Sequence, residues 1–170
     1  MKTLIVQDFR AIGSLEAKTL SQSGHQVTWV TGFKDVQALV AISPTGDAVS
    51  LDTDYDLAIV DGELDGPSGH TEPLGEAVVA RLNQAGVVCI ANSSQDEYNK
   101  RMLNAGARSA VNQLVLFACL AVAHLVQAED LLCPDDTKAG PRLDQGLLQY
   151  ISESPGKELR QATEAALSAL

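Results

Sequence analysis

The sequence predicts an α/β fold in which a parallel sheet is covered by helices on both faces. Short apolar runs alternate with amphipathic stretches through residues 1–133. The runs are apolar almost throughout rather than at every second residue, and most of the amphipathic stretches close on glycine. Continuous apolar strands belong to sheets buried on both faces, and parallel strands need helical crossovers. Five such units fit the flavodoxin-like doubly wound order 2-1-3-4-5.

The units follow in order. Thr3–Gln7 reads as a buried strand ending at Asp8, and Ile12, Leu15 and Leu20 mark a helix stopped by Gly24. Gln26–Val30 is the second strand, with Val36, Leu39 and Val40 as a short second helix and Ser43–Asp54 as a polar loop. Tyr55–Asp61 is the third strand, again ending on an acid, and a Gly-rich loop runs from Gly62 to Gly69. A helix carrying Leu74, Val78 and Leu82 stops at Gly86, and Val87–Ala91 is the fourth strand. Ser94 and Glu97 have the spacing of a capping box, with Ser94 as N-cap of a helix through Tyr98, Met102 and Leu103. Gly106 closes that helix, Arg108–Gln113 is a short fifth strand, and a fifth helix starts near Leu114. Ligands in such sheets bind beyond the carboxyl ends of the strands. Strands one and three are neighbours in this order, so Asp8 and Asp61 are expected to meet there.

The chain has 170 residues and a formal net charge of −10, and the charge is unevenly placed. No Lys or Arg stands between Lys34 and Arg81, while ten acids do; the remaining 12 acids balance the 12 bases. This argues against duplex DNA or an anionic membrane as partner, because phosphate contact needs clustered bases. Clustered acids suit a cation or a basic protein surface, or form a solvated face. Met1-Lys2 leads directly into a strand-like run, and the longest apolar run, Leu114–Ala123, is too short to span a bilayer. Cys89, Cys119 and Cys133 lack metal or redox spacing and read as reduced thiols, so a cytoplasmic location is expected.

Over residues 1–133 the chain resembles the receiver domain of bacterial two-component response regulators. The residues that carry the resemblance are Leu4–Phe9, Tyr55–Asp61 with its loop to Gly69, Val87–Ala91 and Asn104–Arg108. The resemblance implies that Asp61 is the phospho-acceptor, whose carboxylate attacks the phosphoryl group of a phosphohistidine on a partner histidine kinase. It implies Mg²⁺, held by Asp8, Asp61 and the main chain of Glu63. The sequence departs from the family pattern at several of its working parts. The paired acids after strand one are Gln7-Asp8, so Mg²⁺ binding is expected to be weak unless the Glu63 side chain turns inward. The hydroxyl residue ending strand four is Ala91, the switch aromatic of strand five is Ala110, and the Lys after strand five is Gln113, followed by Leu114 where Pro is usual. Asp65 stands where Pro is expected after the acceptor. Losing one charge-assisted hydrogen bond costs roughly 1.5–3 kcal/mol, so the domain reads as a degenerate receiver, a pseudo-receiver in which nothing but a metal ion answers the acids.

Other candidate residues have structural readings. His70 lies in a loop near the acids; His25 opens a strand and His124 lies on an apolar helix; Trp29 and Tyr98 give no stacking platform, and Gly13 has no GxGxxG context. The run Leu114–Ala123 is apolar around a whole helical circumference and needs a cover. Residues 134–141 read as a linker and 142–170 as a helical extension, which folds back on the fifth helix or makes a homodimer with it. No nucleophile–base pair can be placed, so an enzyme is not expected. The function read from the sequence is signal transduction through protein–protein contact, with a phosphorylation-independent scaffold or dimerisation module as the second reading.

Overall fold

The structure is a computed structural model, and it describes residues 1–22, 24–113 and 116. In chain order the elements are β1 (Lys2–Val6), α1 (Arg10–Gln22), β2 (Gln26–Val30), β3 (Gly32–Asp35), β4 (Val40–Ile42), β5 (Ala48–Ser50), β6 (Leu57–Val60), β7 (Leu64–Asp65), β8 (Thr71–Glu72), α2 (Gly75–Gln84), β9 (Val88–Ala91), α3 (Asp96–Asn104) and β10 (Ser109–Ala110). The principal sheet has the order β2-β1-β6-β9-β10, with all four strand pairs parallel. Counting only its own strands, this is the predicted 2-1-3-4-5 order. The fifth helix, linker and C-terminal extension read from the sequence lie outside the described residues, apart from Leu116.

The near-continuous apolar strands bury both faces. On one, Leu4, Val6, Ala58, Val60, Cys89 and Ala91 pack with Val78, Val79 and Leu82 of α2 and Met102 of α3. On the other, Ile5, Ile59 and Ile90 pack with Leu20 of α1 and with Leu116. Successive residues point to opposite faces, so the split follows directly from odd and even positions. Each of the three helices among the described residues is followed by a glycine at positive φ, Gly24 (+87°), Gly86 (+85°) and Gly106 (+107°), a conformation that side chains resist.

The second crossover differs from the sequence expectation. Where Val36, Leu39 and Val40 were expected to form a helix, the chain makes an antiparallel meander, β3-β4-β5, and the Gly62–Gly69 loop contributes β7 and leads into β8. Together these make a second sheet, β5-β4-β3-β7-β8, in which Gly32 pairs with Asp65. The reason is local. The Asp35 carboxylate captures the amide of Ala38 at 2.9 Å, as at a helix start, but Leu39 then turns to φ +53° and inserts its side chain into the core. Helical spacing of three apolar residues arises here from a hairpin turn. Thr31 carries the chain from β2 into the second sheet, where its N–H bonds to Ile42 O (2.8 Å) and its carbonyl accepts Asp65 N–H (3.0 Å).

Two smaller corrections concern α3 and β10. Gln95, not Ser94, is the N-cap residue of α3, and no side-chain bond caps it; Ser93 Oγ instead accepts the Gln95 amide at 3.3 Å. The fifth strand is limited to Ser109–Ala110, shorter than Arg108–Gln113. Among the described residues, no helix is long and apolar enough to cross a membrane.

Candidate functional site

The parallel register that builds the sheet also builds a polar rung at its carboxyl end. Val6 pairs with Val60 and Val60 with Ala91, and the ladder continues through Asp61 N–H to Val6 O (2.9 Å) and Asn92 N–H to Val60 O (2.8 Å). Gln7, Asp61 and Asn92 therefore stand side by side, two residues beyond Ile5, Ile59 and Ile90. By alternation they share the α1 face of the sheet. Glu16 reaches them from α1, where it occupies the stripe of Ile12 and Leu20. All four are enclosed: Gln7, Glu16 and Asn92 are 1% exposed and Asp61 7%.

Two donors hold Asp61, one on each carboxylate oxygen. Oδ1 accepts Gly62 N–H at 2.5 Å, Oδ2 accepts Gln113 Nε2 at 2.7 Å, and the Gln7 amide lies close enough to favour the ionised form. Burial outweighs these donors and, with the charge of Asp8, raises the carboxyl to about 6. The sequence left the acids unanswered except by a metal; the structure corrects this, because Gln113 is a direct donor to Asp61. α2 is packed tightly against the same spot: a Cβ on Gly75 would lie 2.3 Å from the Asp61 carbonyl oxygen.

Asp8 is half-buried at the end of β1. Its Oδ2 accepts Thr71 Oγ1 at 3.4 Å, and burial, then the charge of Asp65, raise its pKa. The Asp65 charge reaches Asp8 because the second sheet brings β7 alongside β3. Glu63 does not turn inward: Tyr98 Oη donates to its Oε1 (3.1 Å) and Gln95 Nε2 to its Oε2 (3.4 Å), so α3 holds it. Ala91 ends β9 and Ala110 ends β10, paired with each other. His70 is exposed between β7 and β8. His25 is buried against Thr3 Oγ1 at 2.8 Å. Cys89 is buried and pushed up to about 12, an inert thiol. Cys119, Cys133 and His124 lie outside the described residues.

Mg²⁺ takes hard oxygen donors in near-octahedral geometry. Asp8 and Asp61 supply carboxylates, and the cost of burying Asp61 beside Asp8 is what a cation would relieve. Both Asp61 oxygens already accept hydrogen bonds, however, and among the described residues no group of three His, Cys, Asp or Glu is placed to hold a metal. The donor set fits a divalent cation in kind, with fewer carboxylates than a strong site.

Glu16, Asn92, Asp65 and Tyr98 were not singled out as site residues from sequence. A signal existed for one of them: Glu16 is an acid in the middle of the stripe Ile12-Glu16-Leu20, and an acid on a buried stripe has a partner or a purpose. The other three reach the site only through tertiary pairing.

No protein-family model matches the chain, and no curated protein matches it. Solved structures do. A two-component response regulator from Clostridium difficile is 13% identical, covering 66% of this chain and 83% of that chain, with a TM-score of 0.49. The BeF3-activated N-terminal receiver domain of RstA from Klebsiella pneumoniae is 18% identical, covering 66% and 86%, with a TM-score of 0.48. The non-phosphorylated HemR receiver domain from Leptospira biflexa is 18% identical, covering 66% and 81%, with a TM-score of 0.47.

Proposed function

We propose that the chain is a receiver-like signal-transduction protein of the two-component phosphorelay type, atypical in its active site and acting through protein–protein contact. The single observation that carries this reading is Asp61: a buried carboxylate on the central strand, at the end of the sheet where doubly wound folds bind their ligands. Asp61 is the phospho-acceptor, and a histidine kinase or another signalling protein is the donor partner. Asp8, Asp61 and the Glu63 main chain would hold Mg²⁺, with fewer carboxylates than a strong site. When bound, the ion offsets the negative charge of acceptor and phosphoryl oxygens. The chain's own contribution is positional: Gly62 N–H and Gln113 Nε2 fix the two Asp61 oxygens, and α2 excludes solvent behind them. A homodimer through Leu114–Ala123 and residues 142–170 belongs to the reading and rests on sequence alone. The acidic composition supports neither nucleic acid nor membrane as partner, and a cytoplasmic protein without enzymatic turnover is the expected setting.

The test is backbone amide NMR in Mg²⁺ with beryllofluoride or acetyl phosphate. Saturable shifts at Asp61, Ala91 and Ala110, absent in Asp61→Asn, are expected. Silence at millimolar Mg²⁺ defeats the reading in favour of the phosphorylation-independent scaffold. That alternative has an observation of its own, since both Asp61 oxygens are already satisfied within the chain.

A further inference from the structure

Within the polar rung, three buried polar atoms have no hydrogen-bond partner among the described residues: Gln7 Nε2, Glu16 Oε2 and Asn92 Oδ1. Two of the three belong to one pair of side chains, already joined by the 2.9 Å bond from Asn92 Nδ2 to Glu16 Oε1. A carboxyl and a carboxamide are both planar and of similar size, and pair through two parallel bonds when the acid carries its proton. An ionised Glu16 would leave two buried acceptors unsatisfied on adjoining groups, together with a charge that no base among the described residues balances. One hydrogen on Glu16 Oε2 removes both penalties.

We propose that Glu16 is a protonated carboxylic acid in the native protein, donating Oε2–H to Asn92 Oδ1, and that it forms a second proton-binding site governed by the charge on Asp61. The surroundings of Glu16 leave little else to hold it. α1 packs on β1 and β2; Asn92 comes from the end of β9 and the Asp61 charge from the end of β6. The influences that set its charge state are burial, the Asp61 charge and the Asn92 bond, with no Lys, Arg or His among them. Burial first, and the Asp61 charge second, raise Glu16 to about 8, against the opposing effect of the Asn92 bond. The coupling has a definite sign: neutralising Asp61, by a cation or by substitution, loosens the Glu16 proton, and added negative charge at Asp61 tightens it.

The experiment is a pH titration of the full chain carrying ¹³C-labelled glutamate, with the side-chain carboxyl shifts assigned through bonds. One carboxyl, Glu16, is expected to keep its acid-form shift through neutral pH and to titrate near 8. That signal is absent in Glu16→Gln and moves to lower pH in Asp61→Asn. Glu16→Gln keeps a two-point pair through its amide, so its urea midpoint at pH 7 should equal or exceed that of the unsubstituted chain, whereas Glu16→Leu falls below it. A Glu16 carboxyl titrating in the ordinary glutamate range overturns the proposal, and so does a titration that Asp61→Asn leaves in place. Should Glu16→Gln fail to fold, the assigned spectra of the native chain and Asp61→Asn still decide. Phosphoryl acceptance plays no part in this readout, so a silent Asp61 in the beryllofluoride test leaves the result unchanged.

Discussion

At the residue scale, the energetics of the site turn on a carboxylate buried before it is paired. Asp61 is raised to about 6 by burial, above the ordinary value of 3.8. A raised acid holds its proton longer when folded than when unfolded, so its contribution to stability is largest at low pH. It is lost as pH climbs from about 4 through 6. Asp61→Asn should therefore flatten the fall in unfolding free energy across that window. The linkage sets a ceiling of about 3 kcal/mol on the effect, to be read by urea denaturation at stepped pH. Gln113 acts in the opposite sense. Gln113→Ala removes a donor to the charged form, should move the Asp61 titration upward in ¹³C NMR, and should cost about 1.5–3 kcal/mol at neutral pH. Gln113→Lys supplies a full positive charge to the same oxygen and should move the titration down.

At the element scale, the principal sheet was legible because its strands are apolar at nearly every position, a pattern only two-sided burial explains. The second sheet was not legible. Its strands are two to four residues long, too short to establish a period of two. Val36, Leu39 and Val40 match one turn of helix by spacing alone, and only tertiary pairing with β7 decides the matter. The same blindness hid Asp65 from view as a neighbour of Asp8. Of the site, Asp8 and Asp61 were recoverable from strand ends and Gln113 only through the family resemblance, whereas the roles of Asn92 and Tyr98 depend on side-chain directions that no linear pattern encodes. One contact between elements yields a sharp prediction. Gly75→Ala gains about 1 kcal/mol of helix propensity, but its methyl meets the Asp61 backbone, which cannot yield as a side chain can. Overpacking costs about 1–3 kcal/mol, so net destabilisation and shifted Asp61 and Gly62 amide resonances are expected. Unchanged resonances would show that α2 moves aside freely.

At the scale of the whole molecule, the net charge of −10 resolves into two populations. Glu16 and Asp61 are buried and raised, while Asp47, Asp52, Asp54 and Asp56 are exposed in the approach to β6. Both populations favour mild acidity over neutrality, the first through linkage and the second by easing repulsion. Salt separates them, because screening acts on exposed charges and hardly on enclosed ones. Thermal midpoints at pH 7 should rise with added sodium chloride, and the slope should fall when Asp47 and Asp52 are both changed to Asn, whereas Asp54 is paired with Lys2. The pH dependence due to Glu16 should survive at high salt.

Trp29 lends the molecule a property of a different kind. It is the sole tryptophan of the chain, its indole Nε1–H bonds to the Gln7 carbonyl at 3.0 Å, and its ring lies against Gly13 of α1. The chain thus carries a native chromophore tied to the backbone of the polar rung. Its emission should shift when the Gln7 carbonyl is disturbed, so occupancy and charge at the site can be followed by light in the unmodified protein.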